Sequence, residues 1–200
     1  MGEPDGRLTR LTRDEISPEA RGLWDAIAEG RGGAVDAEGR MSGPFNVWLQ
    51  SPQAGRHLLA LGGSLREETV LDRSLNELAV CVSTAYWRAN FPFIRHAAAA
   101  RKSGIADSVL DALAAGERPT FEDDQQELTY QVASSVVRTS GLSTSLHARA
   151  LSVLGERQLV EVVLVCGWYT LVSFAVNAFE VPTATGQMPL WEKLGGLLSE

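Results

Sequence analysis

Only two cysteines, Cys81 and Cys166, occur in the 200 residues of this chain. They stand 85 residues apart in apolar helical runs, which suits buried free thiols better than a disulfide framework or a metal site. Positive charge is also scarce, with 18 Lys and Arg against 25 Asp and Glu and a net charge of -7. Phosphate backbones and anionic lipid surfaces are held by clustered cations. The basic residues here are scattered along the sequence, so we expect neither nucleic acid nor a membrane surface as partner. No His, Cys, Asp or Glu set has metal-ligand spacing, so we expect neither metal nor cofactor. The opening MGEPDGRLTRLTRDE has no apolar stretch of signal-peptide type, and the expected location is the cytoplasm. A small molecule, or another copy of a protein chain, remains as partner.

Alternating apolar residues between turn signals are absent too, so a sheet is not expected. Helix signals take their place. Residues 1–12 lack periodicity and read as a loose arm. Ser17-Pro18 opens a helix with Ala20, Leu23, Trp24 and Ile27 on one face, closing at Gly30. Residues 31–43 carry four glycines and read as a mobile loop. Ser51-Pro52 opens the next helix, Asp72 caps another, and Pro92 predicts a fresh start after a break near Asn90. Further helices follow from Ala106 to Ala115, from the acids at 122–124 to Thr139, and from Ser143 to Leu154. The last runs from Glu156 to about Glu180, before a tail with Pro189 and Trp191. Within it Val162 to Phe179 is uncharged over 18 residues, the lower limit for a bilayer span. Gly167, Thr170, Ser173 and Asn177 dilute the run and no basic flank orients it, so a core helix, or one buried between subunits, is the reading. The fold class expected is all-α, one domain: an N-terminal arm, helix and loop over 1–42, a helical domain over 43–182, and a tail over 183–200.

The stretch LNELAVCVSTAYWRANFPFIRH, Leu75 to His96, carries the informative pattern. It is preceded by GPFNVWLQSP at 43–52 and followed by small residues up to Gly104. Together these resemble the carboxymuconolactone decarboxylase and alkylhydroperoxidase D-like family. Glu77 matches the acid of its R-E-L-A helix and His96 the histidine of its Y-E-W-x-x-H-x-x-x-A motif. The run from Glu161 to Asn177 is similar to the family's apolar penultimate helix, its G-x-Y falling on Gly167, Trp168 and Tyr169. The resemblance implies an alkylhydroperoxidase D-like helical bundle and a homo-oligomer, trimer or hexamer. It also implies a site at Glu77 and His96. In the peroxidase branch two cysteines stand 12 and 15 residues after the glutamate; here those positions are Ala89 and Pro92. Thiol peroxidase chemistry, which needs a low-pKa thiolate and a resolving thiol, is therefore disfavoured. In the decarboxylase branch the motif's glutamate falls on Pro92, between Phe91 and Phe93, so the parent decarboxylation does not carry over directly.

Two readings stand for each of the matched residues. His96 is either a partly buried histidine bonded to a backbone carbonyl, or a base kept neutral by Phe91, Phe93 and Ala97. Glu77 either pairs with Arg73 one turn earlier or orients the imidazole. Arg73 and Arg95 are candidates for holding a substrate carboxylate or enolate, and Trp87, Phe91 and Phe93 for lining the pocket. His57 and His147 have no partner motif, and Trp48 and Trp168 read as packing. The expected function is a cofactor-free decarboxylase, isomerase, lyase or cyclase moving protons on a cyclic, oxygenated, carbonyl-bearing small molecule, with His96 as base and Glu77 as its orienter. An oligomeric scaffold without catalysis, or an apolar-ligand-binding protein, is the alternative.

Overall fold

The computed structural model describes residues 6–183 and 189–192. Its eight helices are α1 (Pro18–Gly30), α2 (Pro44–Leu49), α3 (Pro52–Glu67), α4 (Arg73–Tyr86), α5 (Asn90–Lys102), α6 (Asp107–Ala115), α7 (Asp124–Thr139) and α8 (Thr144–Ala178). Of the described residues 67% are helical, well above the globular average of about a third. Among the described residues there is no strand, only isolated bridges pairing Thr12 with Arg40 and Val35 with Met41. The fold is all-α, as its sequence predicts. Of the tail expected over 183–200, residues 184–188 and 193–200 lie outside the described residues.

Helix starts follow local chemistry. The Asp72 carboxylate accepts the Ser74 N–H at 2.8 Å, Asp123 accepts that of Gln126 at 2.8 Å, and the Ser143 hydroxyl accepts that of Leu146 at 3.2 Å. Each satisfies an N–H that has no partner inside its helix. Ser17 differs: its side chain makes no cap bond, and its carbonyl accepts the Ala20 N–H instead. The start at Pro92 also needs correcting. The helix begins two residues earlier, at Asn90, because a first-turn proline gives up an N–H that would have no intrahelical acceptor. The run from Thr144 breaks at Gly155, whose φ of 75° and ψ of 167° are not helical. This separates the two helices expected on either side of it.

Contacts divide the chain into two compact units, one drawn from Met1–Gly63 and Phe174–Glu200, the other Ser64–Ser173. In the first, Ala20, Leu23 and Ile27 of α1 pack with Ile16, Ala34, Met41 and Leu49. Gly55 is required there: a Cβ would stand 2.5 Å from a Leu23 methyl and 2.7 Å from the Trp48 carbonyl oxygen. Residues 6–12 are not a loose arm. The Arg7 N–H donates to the Phe179 carbonyl at 2.9 Å, Met41 N–H to that of Leu11 at 3.3 Å, and the Asn46 amide to that of Thr9 at 3.2 Å. Nor are residues 31–43 an open loop. The Asp36 carboxylate accepts the N–H groups of Glu38 at 3.1 Å and Arg40 at 2.8 Å and pairs with Arg10, which closes the turn.

In the second unit α4 is central, packed by α5, α6 and α7. Leu75 to Thr84 are buried without interruption. Polar groups on such a helix need partners. The Asn76 amide donates to the Leu65 carbonyl at 2.9 Å, and Ser83 and Thr84 donate to their own helix at Ala79 and Val80. The segment leading into α4 is held from α8: Glu161 accepts the N–H groups of Val70 and Leu71, both at 2.9 Å. The α8 helix is long and apolar enough to cross a membrane, with half of its apolar window buried inside the protein. It is not buried all round, however. Leu159, Val162, Val165, Cys166 and Val172 are enclosed, whereas Val160 (51%), Leu164 (50%) and Leu171 (41%) are exposed.

Candidate active site

One ionisable side chain inside α4, Glu77, is 1% exposed. A buried carboxylate is tolerated only when both oxygens are partnered. Both are: Oε1 takes Arg73 at 2.5 Å and Oε2 takes His96 Nδ1 at 2.6 Å. The two roles that the sequence offers for Glu77 therefore coexist. Arg73 is half exposed and also donates to the Arg66 carbonyl at 3.3 Å, so its charge reaches the carboxylate from the solvent side. His96, on α5, has a side chain 20% exposed.

The second imidazole nitrogen is also engaged. The Tyr169 hydroxyl on α8 lies 2.9 Å from His96 Nε2, and the two rings meet edge to face with centroids 4.8 Å apart. Burial, and next the Glu77 charge, push the Tyr169 phenol well above its ordinary value, so it stays protonated and donates to Nε2. With the carboxylate accepting from Nδ1–H, the tautomer is fixed from both sides. Nε2 is the basic nitrogen, and it is covered by a phenol that can turn to another acceptor. The backbone-carbonyl bond offered as one reading of His96 is corrected accordingly: its polar partners are a carboxylate and a phenol.

The other residues anticipated for the site are placed as follows. Trp87 donates from its indole nitrogen to the Thr170 hydroxyl at 3.1 Å, next in sequence to Tyr169. Phe91 and Phe93 are buried, and the Arg95 guanidinium lies 5.8 Å from the centroid of the Phe91 ring. Arg73 thus joins the Glu77–His96 cluster by direct contact, while Arg95 is tied to Phe91. Tyr169 is the functional candidate that sequence reasoning left as a motif match, in the G-x-Y at 167–169. Ala89 and Pro92, which stand at the peroxidase thiol positions, are buried. Both real cysteines are buried and unpaired. Burial raises Cys166 to about 11 and, with the Glu77 charge adding to it, raises Cys81 further. Among the described residues, no three His, Cys, Asp or Glu side chains gather as a metal would require.

This helical architecture, with a buried glutamate and a histidine joined between α4 and α5, is the alkylhydroperoxidase D-like fold. Neither a protein-family model nor a curated protein matches the sequence. Solved structures do. A protein of Ralstonia eutropha JMP134, an alkylhydroperoxidase AhpD core described as an uncharacterized peroxidase-related protein, is similar with a TM-score of 0.73 at 14% identity. The match covers 92% of this chain and 95% of that one. An uncharacterized peroxidase-related protein of Silicibacter sp. TM1040 gives a TM-score of 0.72 at 15% identity, covering 96% and 100%. A protein of unknown function from Agrobacterium tumefaciens gives 0.60 at 14%, covering 70% and 97%. At these identities the likeness is one of fold.

Proposed function

We propose that this chain is a cofactor-independent enzyme that moves protons on a cyclic, oxygenated, carbonyl-bearing small molecule, as a decarboxylase, isomerase, lyase or cyclase. The observation that carries the reading is the continuous relay Glu77–His96–Tyr169, with a tautomer that leaves Nε2 as the base. A substrate carbonyl oxygen takes the Tyr169 O–H, and the adjacent C–H comes to Nε2. The proton passes to the imidazole, the C–H electron pair moves onto the carbonyl oxygen as an enolate, and the phenol stabilises it. Glu77 stabilises the imidazolium that forms, and Arg73 pairs with the other carboxylate oxygen. Return of the proton to another carbon gives isomerisation. In decarboxylation the breaking C–C bond supplies the enolate and a proton is delivered afterwards.

The solved neighbours carry peroxidase-related names, but a thiol peroxidase needs an accessible thiolate. Cys81 and Cys166 are buried with raised pKa values, which favours the proton-transfer reading. The assembly we propose is a homo-oligomer. Its support is the exposed stripe Val160, Leu164, Gly167 and Leu171 of α8, whose spacing of four, three and four is that of helices packing along a seam.

The test is deuterium exchange in D2O across a panel of cyclic ketones and keto acids, read by mass spectrometry. The wild type is expected to label the carbon next to the carbonyl of at least one compound. His96→Ala should lower that rate by about 10² to 10⁴, and Tyr169→Phe by about 10². Exchange that proceeds equally in His96→Ala removes this reading and favours a scaffold or ligand-binding role.

A further inference from the structure

Positive charge is dispersed along the sequence, yet the fold gathers part of it. Arg118, Arg138 of α7 and Arg149 of α8 line a single open cleft of about 460 Å³ within the second unit, inside the size range of small-molecule sites. Among the described residues, no Asp or Glu lines it, in a chain with a net charge of -7. None of its lining residues belongs to the Glu77–His96–Tyr169 cluster.

The three arginines are held differently. Arg138 stacks over the Tyr86 ring, 5.4 Å from its centroid, and donates through Nε to the Ser134 hydroxyl at 3.2 Å. That leaves its terminal nitrogens for another acceptor. Arg118 is anchored at the edge by Glu127 at 2.8 Å. Arg149 is exposed, and among the described residues that line the cleft none offers it an anionic partner. Ser143, which caps α8, and Ser145 in its first turn line the same cleft, with their hydroxyls 3.2 Å apart, at the positive end of that helix. Planar guanidinium forks and hydroxyls lining one concavity match a tetrahedral oxyanion with several acceptor oxygens.

From this we infer that the Arg118–Arg138–Arg149 cleft is a second binding site, separate from the proton relay, for the phosphoryl group of a small molecule. A free phosphate ester and a lipid headgroup present the same chemistry, so the experiment has two arms. In the first, inorganic pyrophosphate is titrated calorimetrically into the full-length protein at constant ionic strength set with chloride. In the second, the protein is sedimented with phosphatidic-acid vesicles and with phosphatidylcholine vesicles. Binding in either arm supports a phosphoryl site, and the arm that responds identifies the source.

Arg149→Ala, at an exposed position, should weaken that binding roughly tenfold or more, as expected for one charge-assisted contact. Arg118→Ala combined with Arg149→Ala should abolish it. Arg56→Ala, which removes the same charge from an exposed position outside the cleft, should leave it unchanged. Each variant is first matched to the wild type by circular dichroism. Absence of binding in both arms overturns the inference, and so does an equal loss in Arg56→Ala or full binding in the double variant.

Discussion

Removing His96 and neutralising Glu77, singly and together, tests the relay without knowledge of a substrate. Glu77 is 1% exposed and has two partners, at 2.5 and 2.6 Å. Breaking a buried pair by deleting one partner costs about 3 to 5 kcal/mol when nothing else compensates. Here Arg73 remains, half exposed and mobile enough to shift, so His96→Ala should cost about 2 kcal/mol. Glu77→Gln keeps the shape and an acceptor, and relieves the burial of a charge; it should cost about 1 kcal/mol. In the double variant the residue at 77 no longer needs a cationic or N–H partner, so the penalty for losing the imidazole falls. The pair should therefore cost about 2 kcal/mol together, a coupling of about 1 kcal/mol. Urea unfolding followed by far-UV circular dichroism measures each value, provided the slope with denaturant is unchanged. Costs that add within about 0.3 kcal/mol would show that the 2.6 Å contact is not energetically real, and the tautomer argument would fall with it.

With Cys166 at about 11 and Cys81 higher still, native labelling by iodoacetamide at pH 8 should run at roughly a hundredth of the unfolded rate or less; rapid native labelling would reopen thiol chemistry. Light scattering should give a multiple of 21.6 kDa, and Leu164→Glu should shift the mass toward the monomer by placing a charge in the α8 stripe; an unchanged multiple would put the interface elsewhere. The Asp72 carboxyl is held below its ordinary value by the Ser74 hydroxyl and N–H, so its stabilisation is present above the unfolded pKa and is lost as pH falls through the folded one. Asp72→Ala should accordingly cost about 1 kcal/mol at pH 7, with the difference from wild type shrinking below about pH 4; a gap that persists at pH 3 would assign the effect to something other than the ionised cap.

What the sequence made legible was local. Asp72, Asp123 and Ser143 begin helices because a side chain two or three residues away from an unpaired N–H can satisfy it, and Gly155 breaks one because its backbone leaves helical space. Residues 6–12 were misjudged because what ties them is backbone: Arg7 reaches Phe179 and Leu11 reaches Met41 through main-chain hydrogen bonds, which leave no periodic trace in side chains. The α8 run read as apolar throughout, yet composition does not say which third of a helix circumference meets solvent. Glu77 and His96, 19 positions apart, were paired only through a family resemblance. Tyr169, 73 positions from His96, was hidden among apolar neighbours where an aromatic usually signals packing.

The empty thiol positions change what the site can do more than how it is built. Ala89 and Pro92 are buried, and Pro92 sits in the first turn of α5, where a missing N–H goes unnoticed. The glutamate that the decarboxylase motif would place at that position is absent, but His96 does not lack a carboxylate, because Glu77 reaches Nδ1 from α4 at 2.6 Å. A second carboxylate at position 92 would bring like charge toward one already buried, which is unfavourable unless one of the two takes a proton. Under the proposed proton-transfer reading the Glu77–His96 pair is complete without the motif's acid, and Tyr169 supplies a neutral donor where a thiol chemistry would need an anionic sulfur. Such an arrangement has a base, a group to stabilise the protonated base, and a donor for a developing oxyanion.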